Sequence, residues 1–215
     1  MAETARIAVL VSGGGTNLQA ILDAQERGEI VSGRVTLVIS DRPGAYALER
    51  ARKAGVEARE ISKKACGGQE AFEQALIGAL EENRTDVIVL AGFLSILSEA
   101  FTARYPRRIL NVHPSLIPSF CGAGYYGLKV HEAALKRGVK VTGATVHFVN
   151  EIPDGGEIIA QKAVEILPGD TPEILQRRVM EQAEWILLPQ SVEKVCREIG
   201  GLSDRPPDPL RAAAL

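Results

Sequence analysis

A chain of 215 residues with 46% hydrophobic and 24% charged residues has the composition of a folded globular protein and the length to bury a full core in one domain. A formal net charge of -2 argues against a general nucleic-acid surface and a polybasic membrane anchor, and no apolar run approaches the roughly 18 residues that cross a bilayer. Three scattered cysteines, Cys66, Cys121 and Cys196, are too few for a disulfide framework or a zinc site, so the expectation is a cytoplasmic protein without a metal.

The opening residues, Met1 to Arg6, carry both signs of charge and run straight into a strand pattern, which reads as no signal peptide. Ile7 to Val11 is a short apolar run, then Ser12-Gly13-Gly14-Gly15-Thr16-Asn17, then Leu18, Ile21 and Leu22 at helical spacing. Val35 to Ile39 predicts a second strand and Tyr46 to Lys53 a helix that stops at Gly55. Phe72, Ala75, Leu76, Ala79 and Leu80 mark one face of a third helix, and Val87–Ala91 and Ile109–Val112 two further strands. Continuous apolar strands alternating with amphipathic helices predict an α/β fold. Its sheet is open, mainly parallel, twisted and covered by helices on both faces.

The pattern changes after about residue 120. Cys121 to Gly127 has no period and reads as a loop, and His131 to Lys136 reads as helix. Val141–Val149 and Glu157–Ile166 predict an antiparallel pair around Pro153 and Gly155-Gly156. A long final helix runs from Thr171 to Ile199, with Asp170 or Thr171 as its cap and Pro172 in its first turn. The expected organisation is a single domain over residues 1–200, with an N-terminal half to about 105, a second half from about 106, and a frayed proline-rich tail over 201–215.

Three glycines between a strand and a helix let the backbone approach a ligand, and the helix start adds free amides and a positive dipole end, which suits a phosphate. Ser12 and Thr16 add hydroxyls. The loop lacks the lysine of a Walker motif and the last glycine of a dinucleotide motif. A plain tight turn with no ligand fits the same residues. Asn111 and His113, two apart at the end of an apolar strand, point to one side, and Pro114 keeps His113 extended. Strand ends are where open α/β sheets place ligands. An amide beside an imidazole can stabilise an oxyanion and relay a proton; a histidine satisfied by local hydrogen bonds is the plainer alternative. Thr145 and His147 share a strand face. Asp154 is either an ordinary turn aspartate or a carboxylate that raises the pKa of His113.

These pieces, in this order, resemble the formyl-tetrahydrofolate transferase family, and within it the glycinamide ribonucleotide formyltransferases. The matching stretches are Ile7–Leu18 (IAVLVSGGGTNL), Val89–Phe93, Ile109–Pro118 (ILNVHPSLIP), Val141–Val149 and Asp154-Gly155-Gly156 through Gln161, within a likeness covering about residues 5–195. The resemblance implies a Rossmann-like formyltransferase fold and transfer of a formyl group from N10-formyltetrahydrofolate, as co-substrate, to the primary amine of glycinamide ribonucleotide in purine biosynthesis. It implies that Asn111 and a protonated His113 stabilise the oxyanion, that Asp154 keeps His113 charged and helps move the proton, and that Thr145 and His147 support them. It assigns the phosphoribosyl group to Gly13, Gly14, Gly15, Thr16, Asn17 and Glu184, and the folate to Leu94, Ser95, Ile96, Leu97, Asn111, Asn150 and Asp154. Small molecules are the expected partners, with no nucleic acid and no membrane.

This chain departs from the family pattern in places. Ser95 and Gln69 stand where relatives often carry arginines, Phe120–Gly127 replaces a proline-glycine stretch, and the final helix carries one extra residue around Glu184. A formyl-folate hydrolase would be expected to add an N-terminal regulatory domain, and a methionyl-tRNA formyltransferase a C-terminal RNA-binding domain, for which the chain has no room and no basic surplus. A nucleotide-binding module without catalysis would leave Asn111, His113 and Asp154 unused.

Overall fold

The computed structural model describes residues 4–201. β1 (Ala5–Val11) passes through the glycine turn into α1 (Thr16–Glu26), followed by β2 (Gly33–Ser40), α2 (Tyr46–Lys53) and β3 (Glu57–Glu60). Then come α3 (Lys63–Cys66), α4 (Gln69–Glu82), β4 (Val87–Leu90), α5 (Glu99–Arg104), β5 (Ile109–His113) and α6 (Leu128–Arg137). The chain continues through β6 (Val141–Phe148), β7 (Ile158–Glu165), α7 (Pro172–Val179), a π-helical turn over Met180–Glu184, and α8 (Trp185–Gly201). The strands form one sheet in the order β3-β2-β1-β4-β5-β6-β7, parallel as far as β5 and antiparallel for β6 and β7.

The two-residue period of the strands sorts their side chains into two cores. Ile7, Val9 and Val11 of β1 pack with Leu18 and Ile21 of α1 and with Leu188 and Val192 of α8. Ala8 and Leu10 face the other way, onto Phe72 and Leu76 of α4 and Phe101 of α5. In β2, Val35 joins the first core and Leu37 and Ile39 the second; a bulge against β1, where Ile7 pairs with Val35 but Ala8 with Leu37, absorbs the odd residue. Burial on both faces is what makes the parallel strands read as continuous apolar runs.

The chain runs from β1 outward to β2 and β3, then returns past β1 to β4 and β5. That reversal leaves a crevice at the carboxyl ends of β1 and β4, the position where open α/β sheets bind ligands. The amide of Ser12, just after β1, donates to Gly92 O, just after β4, at 3.1 Å and joins the two strand ends.

Several expectations are refined by this architecture. Strand β3 (Glu57-Ala58-Arg59-Glu60) gave no apolar signal because it is a partly exposed edge strand whose charges solvate the open side. Thr171 is the cap of α7, its hydroxyl accepting from Ile174 N at 3.3 Å. The final helix is not one regular helix, since the π turn separates α7 from α8, and Pro189 lies inside α8. Of the expected tail, Gly201 closes α8, and 202–215 lie outside the described residues.

Candidate functional site

The crevice is a cleft of about 400 Å³ whose walls include Gly13 to Asn17, Phe93, Leu94, Asn111, His113, Asp154 and Glu184, residues up to 171 positions apart in the chain. Its floor at one end is the glycine turn. Gly13 O accepts from Ala47 N at 3.1 Å and Gly14 O from Arg50 Nε at 2.8 Å, so both carbonyls are turned onto α2. In a trans peptide the N–H points opposite to the carbonyl, which sends the amides of Gly14 and Gly15 away from α2. A side chain added at Gly13 or Gly14 would meet no atom within 4 Å, only open space, whereas at Gly15 it would strike Ala47 Cβ at 2.6 Å. Gly15 also holds a left-handed φ of 73° that starts α1. The first two glycines thus keep an approach open and the third lets α1 and α2 pack.

Asn17, in the first turn of α1, donates from Nδ2 to Glu184 Oε2 at 2.7 Å, although the two are far apart in sequence. Both are buried, and burial pushes the Glu184 carboxyl up to about 6 while the Asn17 bond pulls it down. A π turn holds one residue more than an α turn. Such a turn spans Met180–Glu184, and Glu184 at its end comes to the cleft wall.

At the other end, β5 presents Asn111 and His113 on one side as expected, and antiparallel pairing puts His147 opposite Asn111 and Thr145 opposite His113. His147 Nε2 lies 3.1 Å from Asn111 Nδ2 and its Nδ1 2.8 Å from Phe148 O. Asp154 completes the cluster: Oδ2 is 3.4 Å from His113 Nδ1, and Oδ1 is 3.5 Å from both His147 Nε2 and Asn111 Nδ2. Asp154 sits in a tight turn at a left-handed φ of 56°, unusual for any residue with a Cβ. The turn lies against β6, where a side chain at Gly156 would fall 1.7 Å from Phe148 O. Phe120, at φ 50°, offers its carbonyl to His113 Nε2 at 2.8 Å, and Gly122 N donates to Asp154 Oδ2 at 2.8 Å. Both unusual backbone conformations therefore hold the imidazole and its carboxylate.

Burial acts most strongly on both members of the imidazole–carboxylate pair. Burial of His113 is the largest influence and lowers its pKa; Asp154 and Phe120 O act in the opposite direction and do not offset it. Asp154 lies on the imidazole as the reading from sequence had it, but its upward pull on the His113 pKa is smaller than the downward one of burial. Burial would raise the Asp154 carboxyl, but the neighbouring imidazoles and the Gly122 amide together hold it below its ordinary value.

The remaining expected residues are divided. Thr145 touches neither catalytic candidate side chain in a hydrogen bond; its hydroxyl donates to Ser115 O at 2.7 Å and accepts from Ile117 N at 3.1 Å, fixing the segment that carries Phe120. Leu94 is on the cleft wall, its amide held by Ser12 Oγ at 2.8 Å, and Ile96 is 71% exposed. Ser95 is bonded to Asp41 Oδ2 at 2.6 Å, Asn150 Oδ1 accepts from Ile152 N at 3.1 Å, and Leu97 is turned into the second core. Gln69 donates to Glu73 Oε1 at 2.6 Å and Ile96 O at 3.0 Å.

Sequence reasoning missed Gln161, which clamps Thr145 Oγ1 at 3.0 Å and Ile117 O at 2.9 Å, and missed Tyr125 and Tyr126 on the cleft wall. The aperiodic, glycine-rich stretch before α6 was the one signal for the tyrosines. Among the described residues no helix is long and apolar enough to cross a membrane, and no group of three or more histidine, cysteine or acidic side chains is arranged to hold a metal ion.

Residues 5–192 match the family described as Formyl transferase. The chain is 43% identical to the phosphoribosylglycinamide formyltransferase of Escherichia coli K12, over 84% of this chain and 82% of that one. It is also 43% identical to the trifunctional purine biosynthetic protein adenosine-3 of Bos taurus, over 89% of this chain, but it spans only 18% of that protein's length. The structure of glycinamide ribonucleotide transformylase 1 from Symbiobacterium toebii superposes with a TM-score of 0.84 at 45% identity, covering 91% of this chain and 89% of that one.

Proposed function

We propose, for a chain that belongs to the formyl transferase family, that it moves the formyl group of N10-formyltetrahydrofolate onto the primary amine of glycinamide ribonucleotide. One observation carries the reading: a glycine turn with outward amides and the Asn111–His113–Asp154 cluster open onto the same cleft. A ligand with a phosphate at one end and a nucleophilic amine at the other suits that spacing of functions.

In this reading Gly13, Gly14, Gly15 and Thr16 hold the phosphate, and Asn17 and Glu184 meet the ribose. The folate lies along Leu94 and Ile96, whose exposed apolar surface suits a flat ring system, and along the turn that carries Asp154. The amine attacks the formyl carbon, a new C–N bond forms, and the oxyanion grows between Asn111 and His113. His113 has Asp154 and the Phe120 carbonyl beside its two nitrogens, and burial lowers its pKa. The oxyanion is a third negative neighbour and favours the imidazolium, formed with the proton that the attacking amine gives up, so the charge appears with the transition state it stabilises. That proton then passes from His113 by water beside Asp154 to N10 as the oxyanion collapses to the carbonyl and the C–N10 bond breaks.

The test is a formyl-transfer assay with purified protein, N10-formyltetrahydrofolate and glycinamide ribonucleotide. The expected result is formylated ribonucleotide in step with released tetrahydrofolate, and a turnover lowered at least about a hundredfold by His113→Ala. Release of formate alone, or full activity in His113→Ala, overturns the reading.

A further inference from the structure

Among the described residues the cleft wall carries no lysine or arginine, while two acids, Asp154 and Glu184, line it. Amide dipoles alone would have to balance a phosphate dianion in that setting. Arg50, beneath the glycine turn, is engaged with Gly14 O and with Gln19 Oε1 at 2.9 Å. Positive charge reaches the wall by another route. Lys129, in the first turn of α6, donates from Nζ to the Tyr126 hydroxyl at 2.9 Å, and its ammonium lies 4.5 Å from the ring centroid. Tyr126 lines the same cleft as the glycine turn and is 49% exposed.

A phenol oxygen that accepts from an ammonium becomes a stronger donor through its own proton. The Lys129 bond, with a smaller contribution from Arg42, holds the Tyr126 phenol below its ordinary pKa. Its proton has no acceptor among the described residues, so it is available to a ligand.

We propose that Tyr126, polarised by Lys129, is a specificity-determining residue that donates its hydroxyl proton to the phosphate of the acceptor. The proposal rests on the glycine turn as the phosphate seat. Tyr126 lines the cleft that holds that seat and brings to it the charge of Lys129 without exposing an ammonium to Asp154 and Glu184. An acceptor lacking the phosphate gains nothing from it.

Tyr126→Phe and Lys129→Met, assayed with glycinamide ribonucleotide and with the dephosphorylated riboside, test this. Each variant raises the ribonucleotide KM about tenfold, the scale of one charge-assisted hydrogen bond. Turnover and the folate KM stay within about twofold, and kcat/KM for the riboside is unchanged. The double variant is no worse than the more severe single one, because both act through one contact. An unchanged ribonucleotide KM in either single variant, or equal losses for ribonucleotide and riboside, overturns the proposal. Gly14→Val in the same assay separates the causes. If it raises the ribonucleotide KM while the other variants are silent, the role of Tyr126 fails alone. If it too is silent, the phosphate seat is misassigned and both readings fall.

Discussion

His147 Nε2 and Asn111 Nδ2 lie 3.1 Å apart across the antiparallel β5–β6 pair, and that contact decides which way the Asn111 amide faces. A carbonyl only accepts, so the 2.8 Å contact from His147 Nδ1 to Phe148 O assigns the proton to Nδ1. In the neutral ring Nε2 is then an acceptor and must be met by the nitrogen of Asn111 rather than its oxygen. The second N–H of Asn111 is left toward Asp154 and the cleft. Asn111→Asp keeps the shape, removes both donors and sets a negative group against a lone pair and a carboxylate. Its turnover is expected to fall at least about a hundredfold, the scale of a lost oxyanion donor, with far-UV circular dichroism unchanged. Turnover within threefold of the parent would remove Asn111 from the mechanism.

Glu184 makes a pH-dependent prediction. Its folded pKa of about 6 is above the ordinary 4.5, so its contribution to stability is full below pH 4.5 and is lost as pH rises through about 6. At about 1.4 kcal/mol per pH unit, ionised Glu184 costs about 2 kcal/mol. Glu184→Gln, uncharged throughout, is expected to melt about 5 °C above the parent at pH 8 and level with it at pH 4.5. The same variant raises the acceptor KM if Glu184 meets the ribose. Equal melting temperatures at both pH values would show that the carboxylate is not desolvated.

His131 carries the opposite sign. It is fully buried on α6, neither ring nitrogen has a hydrogen-bond partner among the described residues, and burial, with a smaller effect of His113, lowers its pKa from 6.5 to about 4. Its contribution is present above pH 6.5 and lost as pH falls through about 4, at a cost of about 3 kcal/mol. His131→Leu, close in volume, is expected to narrow the drop in melting temperature between pH 7 and pH 4 by at least about 5 °C. A drop as large as the parent's would point to other groups as the acid-sensitive ones.

Gly156 and Gly78 form a contrasting pair. A Cβ on Gly156 would overlap Phe148 O, so Gly156→Ala must shift the turn that carries Asp154, and a turnover loss of about tenfold or more is expected. A Cβ on Gly78, within α4, meets nothing within 4 Å. Gly78→Ala is expected to add about 0.5–1 kcal/mol in chemical denaturation and leave turnover unchanged. Full activity in Gly156→Ala would show that the turn has slack.

What was readable from the sequence followed burial. β1, β2, β4 and β5 are covered on both faces and appear as apolar runs, and Asn111 and His113 stand out because they interrupt one of them at its end. β3 and the short α5, Glu99–Arg104, lack that contrast and passed unread. The burial of His113, which lowers its pKa, could not be read from the sequence, which names only its charged neighbour. Gln161 was visible only as part of a resemblance, since its role depends on β7 lying beside β6.

The π turn over Met180–Glu184 has a consequence for how such a pocket can change over generations. Each residue of an α-helix advances its face by about 100°, so deleting one residue ahead of Glu184 would heal the helix and swing the carboxylate off the wall it shares with Asn17. Loss or gain of a single codon in this stretch can therefore reshape that wall of the cleft without replacing any residue that lines it.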